Sequence, residues 1–192
     1  MKNLRDLAVR LLLGLGACNP AGATTHDAAV YVDAMQTADV GGGGPGAVVT
    51  EFRVPTPNSE PDRIVAGSDG NLWFAEGTGN KIGRITIAGI VTEFPIPTAA
   101  SAPMSIAAGP DGNIWFTERE GNKIGRITTA GIITEFPIPT AASAPTGIAP
   151  GPDGNLWFTE AAGNKIGHIT PTGTITETQP LATAKAAPTG IV

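Results

Sequence analysis

PMSIAAGPDGNIWFTEREGNKIGRITTAGIITEFPIP, residues Pro103 to Pro139, holds four short apolar runs parted by turn dipeptides. Ile106-Ala107-Ala108 leads through Gly109-Pro110-Asp111-Gly112-Asn113 to Ile114-Trp115-Phe116-Thr117-Glu118. Gly121-Asn122 then precedes Ile124-Gly125-Arg126-Ile127, and Ala130-Gly131 precedes Ile132-Ile133-Thr134-Glu135-Phe136. Short runs rich in Ile, Trp and Phe between Asp-Gly and other glycine turns predict an antiparallel meander. Neighbouring strand residues point to opposite faces. Ile114, Trp115 and Phe116 are all apolar, so both faces of this sheet are expected to be covered.

The pattern recurs on either side. Val48–Gly89, Ile90–Gly131 and Ile132–Gly173 align without a gap, 42 residues each. The three Trp of the chain, Trp73, Trp115 and Trp157, share one position of this frame, and the six Phe occupy two others: Phe52, Phe94 and Phe136, then Phe74, Phe116 and Phe158. Four strands in a repeat of about 40–50 residues make one propeller blade. The expected fold is therefore all-β, a β-propeller of four-stranded blades. Blades are expected near 61–97, 103–139 and 145–181, flanked by lone strands at 48–54 and 188–192. That is about three and a half blades, where known rings close with roughly 4–8, so a partial propeller is expected. A two-layer sandwich would leave one face of each strand polar, against the pattern.

Composition agrees. The 192 residues include 26 Gly and 17 Pro, well above usual shares of about 7% and about 5%, which argues against a helical bundle. A hydrophobic fraction of 41% argues against wholesale disorder. A net charge of −5 supplies no basic surface for phosphates, so no nucleic-acid partner is expected. The single cysteine permits no internal disulfide. Serine nucleophile elbows, phosphate loops and Cys/His metal spacings are absent from the sequence, which gives hydrolase, kinase and zinc chemistry no footing.

Residues 1–17 combine Lys2, Arg5 and Arg10 with the apolar run Leu11-Leu12-Leu13-Gly14-Leu15-Gly16-Ala17. This is the layout of a secretory signal, and the run is far shorter than the ~20 residues a spanning helix needs. Leu15-Gly16-Ala17-Cys18 resembles the lipobox of bacterial lipoproteins, which implies a lipid on Cys18 and an exported chain anchored at the bacterial cell envelope. A plain signal peptide and secretion are the alternative. Residues 18–47, free of Lys and Arg and rich in Ala, Gly and Asp, are expected to form a flexible tether. His26 within it is expected to be solvated.

Strand direction sorts the repeated polar residues by rim. Glu76, Glu118 and Glu160 close the second strands and share a rim with the residues opening the first strands: Pro61-Asp62-Arg63-Ile64, Pro103-Met104-Ser105-Ile106, Pro145-Thr146-Gly147-Ile148 and Pro188-Thr189-Gly190-Ile191. Because these glutamates recur in every unit, a structural role is expected, bonding the following turn. Metal or substrate contact is the functional alternative. Asp69, Asp111 and Asp153 belong to the opposite rim, where Asp-Gly makes a tight turn. Glu51, Glu93, Glu135 and Glu177 are expected as solvated charges that discourage edge pairing. His168 takes the place of Arg84 and Arg126 and is expected to be a surface replacement.

Gly-Pro-Asp-Gly-Asn-Leu-Trp-Phe-Thr-Glu (151–160), Gly-Asn-Lys-Ile-Gly-Arg-Ile (121–127) and Ile-Thr-Glu-Phe-Pro-Ile-Pro-Thr (133–140) closely resemble the virginiamycin B lyase, or streptogramin B lyase, family. The resemblance covers residues 48–192. It implies a seven-bladed propeller that opens a cyclic depsipeptide at its ester bond by elimination, with Mg²⁺ and without water. A base removes the proton α to the ester carbonyl while the metal polarises the oxygen. In the family the catalytic histidines follow the proline that opens a first strand, as Pro-His-x-Ile. The matching positions here are Asp62, Met104, Thr146 and Thr189, none of them histidine. Two readings follow. Either the chain is a truncated lyase, inactive in itself, or it is a noncatalytic, surface-tethered propeller that binds a cyclic peptide, glycan, protein or other small ligand on its rim.

Overall fold

A computed structural model of the chain describes residues 49–183 and 185–191. The proposed signal segment, Cys18 and the tether lie outside the described residues. Twelve strands fall into three four-stranded antiparallel sheets, each a meander. The first holds β1 (Pro61–Ala66), β2 (Leu72–Glu76), β3 (Lys81–Ile85) and β4 (Val91–Pro95). The second holds β5 (Pro103–Ala108), β6 (Ile114–Glu118), β7 (Lys123–Ile127) and β8 (Ile133–Pro137). The third holds β9 (Pro145–Pro150), β10 (Leu156–Glu160), β11 (Lys165–Ile169) and β12 (Ile175–Glu177). The first strands β1, β5 and β9 pack against one another in turn, so the sheets stand face to face with those strands innermost. Among the described residues no helix is long and apolar enough to cross a membrane.

The repeated aromatics build the sheets in two ways. Phe74, Phe116 and Phe158 lie directly across from Gly83, Gly125 and Gly167 on the third strands, each ring filling the space a β-carbon would need. Phe52, Phe94 and Phe136 pack instead on the glycine of the following unit's last turn, Gly89, Gly131 and Gly173. Those glycines have φ of 83°, 88° and 96°, a region that favours residues without a β-carbon. One phenylalanine thus closes a sheet, and the other locks it to its neighbour.

Tryptophan is the second residue of each second strand. Trp73 and Trp115 are fully buried, stacked on Phe94 and Phe136 with ring centroids 5.6 Å apart in both pairs. Arg84 and Arg126 lie over these rings at about 5.5 Å and donate from Nη1 to Thr129 O and Pro171 O of the next unit. Each indole Nε1 donates to the turn aspartate, as Trp115 does to Asp111 at 3.0 Å. Burial works to raise the Asp111 carboxyl, but donors from Trp115 and Asn113 outweigh it and hold the pKa below its ordinary value. The Asp-Gly turns therefore anchor the tryptophans as well as reversing the chain.

The third sheet departs from this pattern. Thr178 replaces the phenylalanine, and His168 stands where the arginine does, its ring centroid 4.9 Å from that of the partly exposed Trp157. The imidazole is a half-buried partner of an indole rather than a surface replacement. Ala186 lies at the place of Ser101 and Ser143, since Ala187 and Pro188 follow it as Ala144 and Pro145 follow Ser143. Asn164 Oδ1 is correspondingly buried without a partner.

Both flanking strands differ from expectation. Val49, Glu51 and Arg53 form isolated bridges rather than a continuous strand, although Phe52 and Val54 pack beside Phe74 and Ile85. Residues 188–191 carry no strand pairing. They lie beside β9, where Pro188 O accepts from Thr146 Oγ1 at 3.2 Å. A strand needs a ladder partner, and the described residues provide no second strand there.

Candidate functional site

The rim that carries the second-strand glutamates is assembled by backbone bonds. Gly77 N, Arg119 N and Ala161 N, in the β2–β3, β6–β7 and β10–β11 turns, donate to the carbonyls of Glu60, Ala102 and Ala144 just ahead of the first strands. Pro61 pairs with Glu76, Pro103 with Glu118 and Pro145 with Glu160. The glutamates and the strand-opening residues therefore share one rim, as the meander order requires.

Close to each opening proline the register slips by one residue: between Pro103 and Ile106, between Pro145 and Ile148 and, one residue later, between Asp62 and Ile64. Such a β-bulge re-aims a side chain and recurs beside functional sites. Met104 and Thr146 occupy the bulges, whereas Asp62 still pairs with Ala75 and Arg63 is the extra residue; Asp62 is exposed, Met104 half-buried and Thr146 buried. In the second sheet Thr117 Oγ1 accepts from Ser105 N and donates to Thr146 O, both at 3.0 Å. In the third, Thr159 Oγ1 accepts from Gly147 N at 2.9 Å and meets Thr146 Oγ1 at 3.0 Å. Ala75 replaces this threonine in the first sheet. There the Asp62 carboxylate accepts from Arg63 N at 2.8 Å, and Arg63 sits at φ 42°. Thr189 is exposed beside Gly147.

Glu76, Glu118 and Glu160 are each 0% exposed, and neither carboxyl oxygen of any of them has a hydrogen-bond partner. The expected bonds to the following turn are absent because its N–H groups donate to the carbonyls ahead of the first strands. Desolvation, reinforced by Glu135, pushes the Glu118 pKa up to about 8. Desolvation with Glu93 and Glu177 nearby pushes Glu76 and Glu160 to about 7.

The fourth-strand glutamates are not solvated edge charges. Glu93, Glu135 and Glu177 have side chains only 11%, 14% and 13% exposed. Each pairs with the third-strand lysine, Lys81, Lys123 or Lys165. Each also accepts from a threonine N–H in the connection from the preceding unit: Thr56, Thr98 or Thr140. Burial works to raise these carboxyls, but the lysine and threonine donors outweigh it and lower the pKa. The constant spacing of 37 residues between each threonine and its glutamate was the sequence signal for this cross-unit bond. Glu51 is exposed.

Mg²⁺, which the family resemblance implies, does not fit the described residues. They contain no group of three or more His, Cys, Asp and Glu placed to hold a metal ion. The rim glutamates sit one to a sheet, enclosed and inclined to stay neutral. A neutral carboxylic acid is a poor ligand for a hard cation.

The sequence matches the virginiamycin B lyase family over residues 14–192. The chain belongs to that family. The virginiamycin B lyase of Staphylococcus aureus is similar at 48% identity and a TM-score of 0.73, over 75% of this chain and 49% of that one. A catalytically inactive histidine-to-alanine variant of that enzyme, solved with quinupristin, matches with the same figures. The virginiamycin B lyase of Bacillus licheniformis is 45% identical over 41 residues, 21% of this chain and 14% of that protein. The chain thus spans about half the length of the solved family members it matches.

Proposed function

We propose that this chain supplies propeller blades of the virginiamycin B lyase type and that its own blades do not catalyse the elimination. In the complete protein the reaction would be ring opening of a streptogramin B at its ester bond, with Mg²⁺ held by residues other than those described. What carries the proposal is the set of strand-opening positions. Asp62, Met104, Thr146 and Thr189 stand where the family resemblance places imidazole bases. Met104, Thr146 and Thr189 have no group that takes a proton near neutral pH, and Asp62 offers an exposed carboxylate in place of an imidazole. The inactive histidine-to-alanine relative fits a need for imidazole in this chemistry.

Purified chain incubated with quinupristin and Mg²⁺ is expected to leave the ring intact. A linear product of unchanged mass, formed at an enzymatic rate, would overturn the proposal. The same experiment with isothermal titration addresses the second reading, a noncatalytic rim that binds a cyclic peptide: saturable binding without turnover would support it. A lipid on Cys18 would hold this rim at the bacterial envelope.

A further inference from the structure

Each inner seam is strapped by a fourth strand and the connection that follows it. The strap lays a phenylalanine on the tryptophan of its own sheet, Phe94 on Trp73 and Phe136 on Trp115. It also carries a serine whose N and Oγ donate to a turn asparagine, Ser101 to Asn80 Oδ1 and Ser143 to Asn122 Oδ1, at 2.7 and 2.9 Å in both seams. Residues 49–60 repeat this strap ahead of the first sheet. Glu51, Phe52, Thr56 and Ser59 have the spacing of Glu93, Phe94, Thr98 and Ser101 and of Glu135, Phe136, Thr140 and Ser143. Among the described residues this strap has no sheet of its own to close: Val49, Glu51 and Arg53 form isolated bridges, and Ser59 Oγ is buried without a hydrogen-bond partner.

The third sheet has the converse defect. The Asn164 amide donates to Leu181 O and Thr183 O as Asn80 does to Ile96 O and Thr98 O, which aligns its strap, 175–187, with the others. That strap has threonine for phenylalanine at Thr178, alanine for serine at Ala186, and one extra residue between Glu177 and Thr183. Accordingly β12 has three residues where β4 and β8 have five. Trp157 has no stacked phenylalanine and is partly exposed, and Asn164 Oδ1 is buried without a partner. Beyond it, Pro188-Thr189-Gly190-Ile191 lies on β9 with no ladder. It has the Pro-x-x-Ile pattern of Pro61-Asp62-Arg63-Ile64, whose isoleucine is 44% exposed where Ile106 and Ile148 are 7% and 4%.

We propose that copies of this chain associate head to tail by strap exchange: residues 49–60 of one copy replace 175–187 along β11 of another, and the first sheet of the one then stands on the third sheet of the other. Phe52 stacks on Trp157, Glu51 takes the place of Glu177 beside Lys165, and Ser59 donates to Asn164 Oδ1. Two orphaned polar atoms thereby satisfy each other, a gain because buried unpaired groups are costly. The arriving β1 displaces 188–191 from β9 and covers Ile64. A second copy is the partner because this contact continues an interface that the chain already builds twice, and both of its halves are present in one sequence. The two surfaces differ, so each addition leaves a strap at one end and a third sheet at the other, and growth continues unless a ring closes. The chain's own strap is tethered beside β11 and competes at a high effective concentration, which makes exchange dependent on protein concentration.

Sedimentation equilibrium of the purified full chain is expected to show a mass that rises with concentration from 19.4 kDa through two chains and beyond. One chain's mass at every concentration would overturn the proposal. The variant Thr178→Phe, Ala186→Ser with Gln179 removed gives the third sheet a strap with the inner-seam residues and spacing. It is expected to remain monomeric where the unaltered chain associates, and to unfold at a higher urea concentration. Association equal to that of the unaltered chain would overturn the proposal and assign the contact to another surface. Phe52→Ala, which leaves the accepting sheet untouched, is expected to weaken association about tenfold or more, as loss of a buried aromatic anchor does; an unchanged association constant would equally overturn it.

Discussion

At the scale of single residues, glycine and phenylalanine are complementary parts. The Phe116 ring lies against the α-carbon of Gly125 on the paired strand, in the space any larger residue would need. Gly125→Ala is therefore expected to destabilise the protein by roughly 1–3 kcal/mol, the usual cost of overpacking a filled core, even though alanine has no conformational disadvantage in a strand. Chemical denaturation checks this. The double variant Gly125→Ala with Phe116→Leu should recover part of the loss, because it removes the ring that collides. Glycine at this position was legible in the sequence as a repeat, but its partner was not. Pairing Phe116 with Gly125 needs the strand register, which the turn lengths alone leave open by a residue.

At the scale of elements, the second strand positions its neighbours through a hydroxyl. Thr117 Oγ1 ties Ser105 N of its own sheet to Thr146 O of the next. Thr117→Val keeps the shape and orphans a buried donor and a buried acceptor, so a loss of about 2 kcal/mol is expected, read as a shift of the urea midpoint. A change within about 0.5 kcal/mol, the range of an ordinary surface substitution, would mean that water or a shifted backbone replaces both bonds. The four-strand meander and the sharing of a rim by Glu76, Glu118 and Glu160 with the strand openings were legible from the order of runs and turns. What the fourth-strand glutamates do was not. Their partners Thr56, Thr98 and Thr140 belong to the preceding unit, so a carboxylate that looks like edge charge within one unit is a fastening between two.

At the scale of the whole molecule, the described sheets and the amino-terminal 48 residues pose separate questions. The lipobox-like Leu15-Gly16-Ala17-Cys18 predicts that the chain, expressed in a bacterium that lipidates exported proteins, partitions into detergent and takes up labelled fatty acid. Cys18→Ala should abolish the label and send the protein to the aqueous phase. Label that survives this substitution would remove Cys18 from the proposal.

The third sheet carries a consequence of its own. Units one and two present the same Trp, Phe, Arg and Asn surface to the unit that follows, whereas unit three presents Trp157 with His168, Thr178 and an Asn164 whose Oδ1 is unsatisfied. Exchange of the first two units would keep the Trp, Phe, Arg and Asn contacts of each seam, but Ala75 in the place of Thr117 would forfeit the hydroxyl bond to the next sheet. A crossover that moved the third unit inward would set its altered face against a turn shaped for arginine and phenylalanine. The third unit's face is thus the one least interchangeable with the others, and grafting it into an inner place is expected to cost more stability than exchanging the first two.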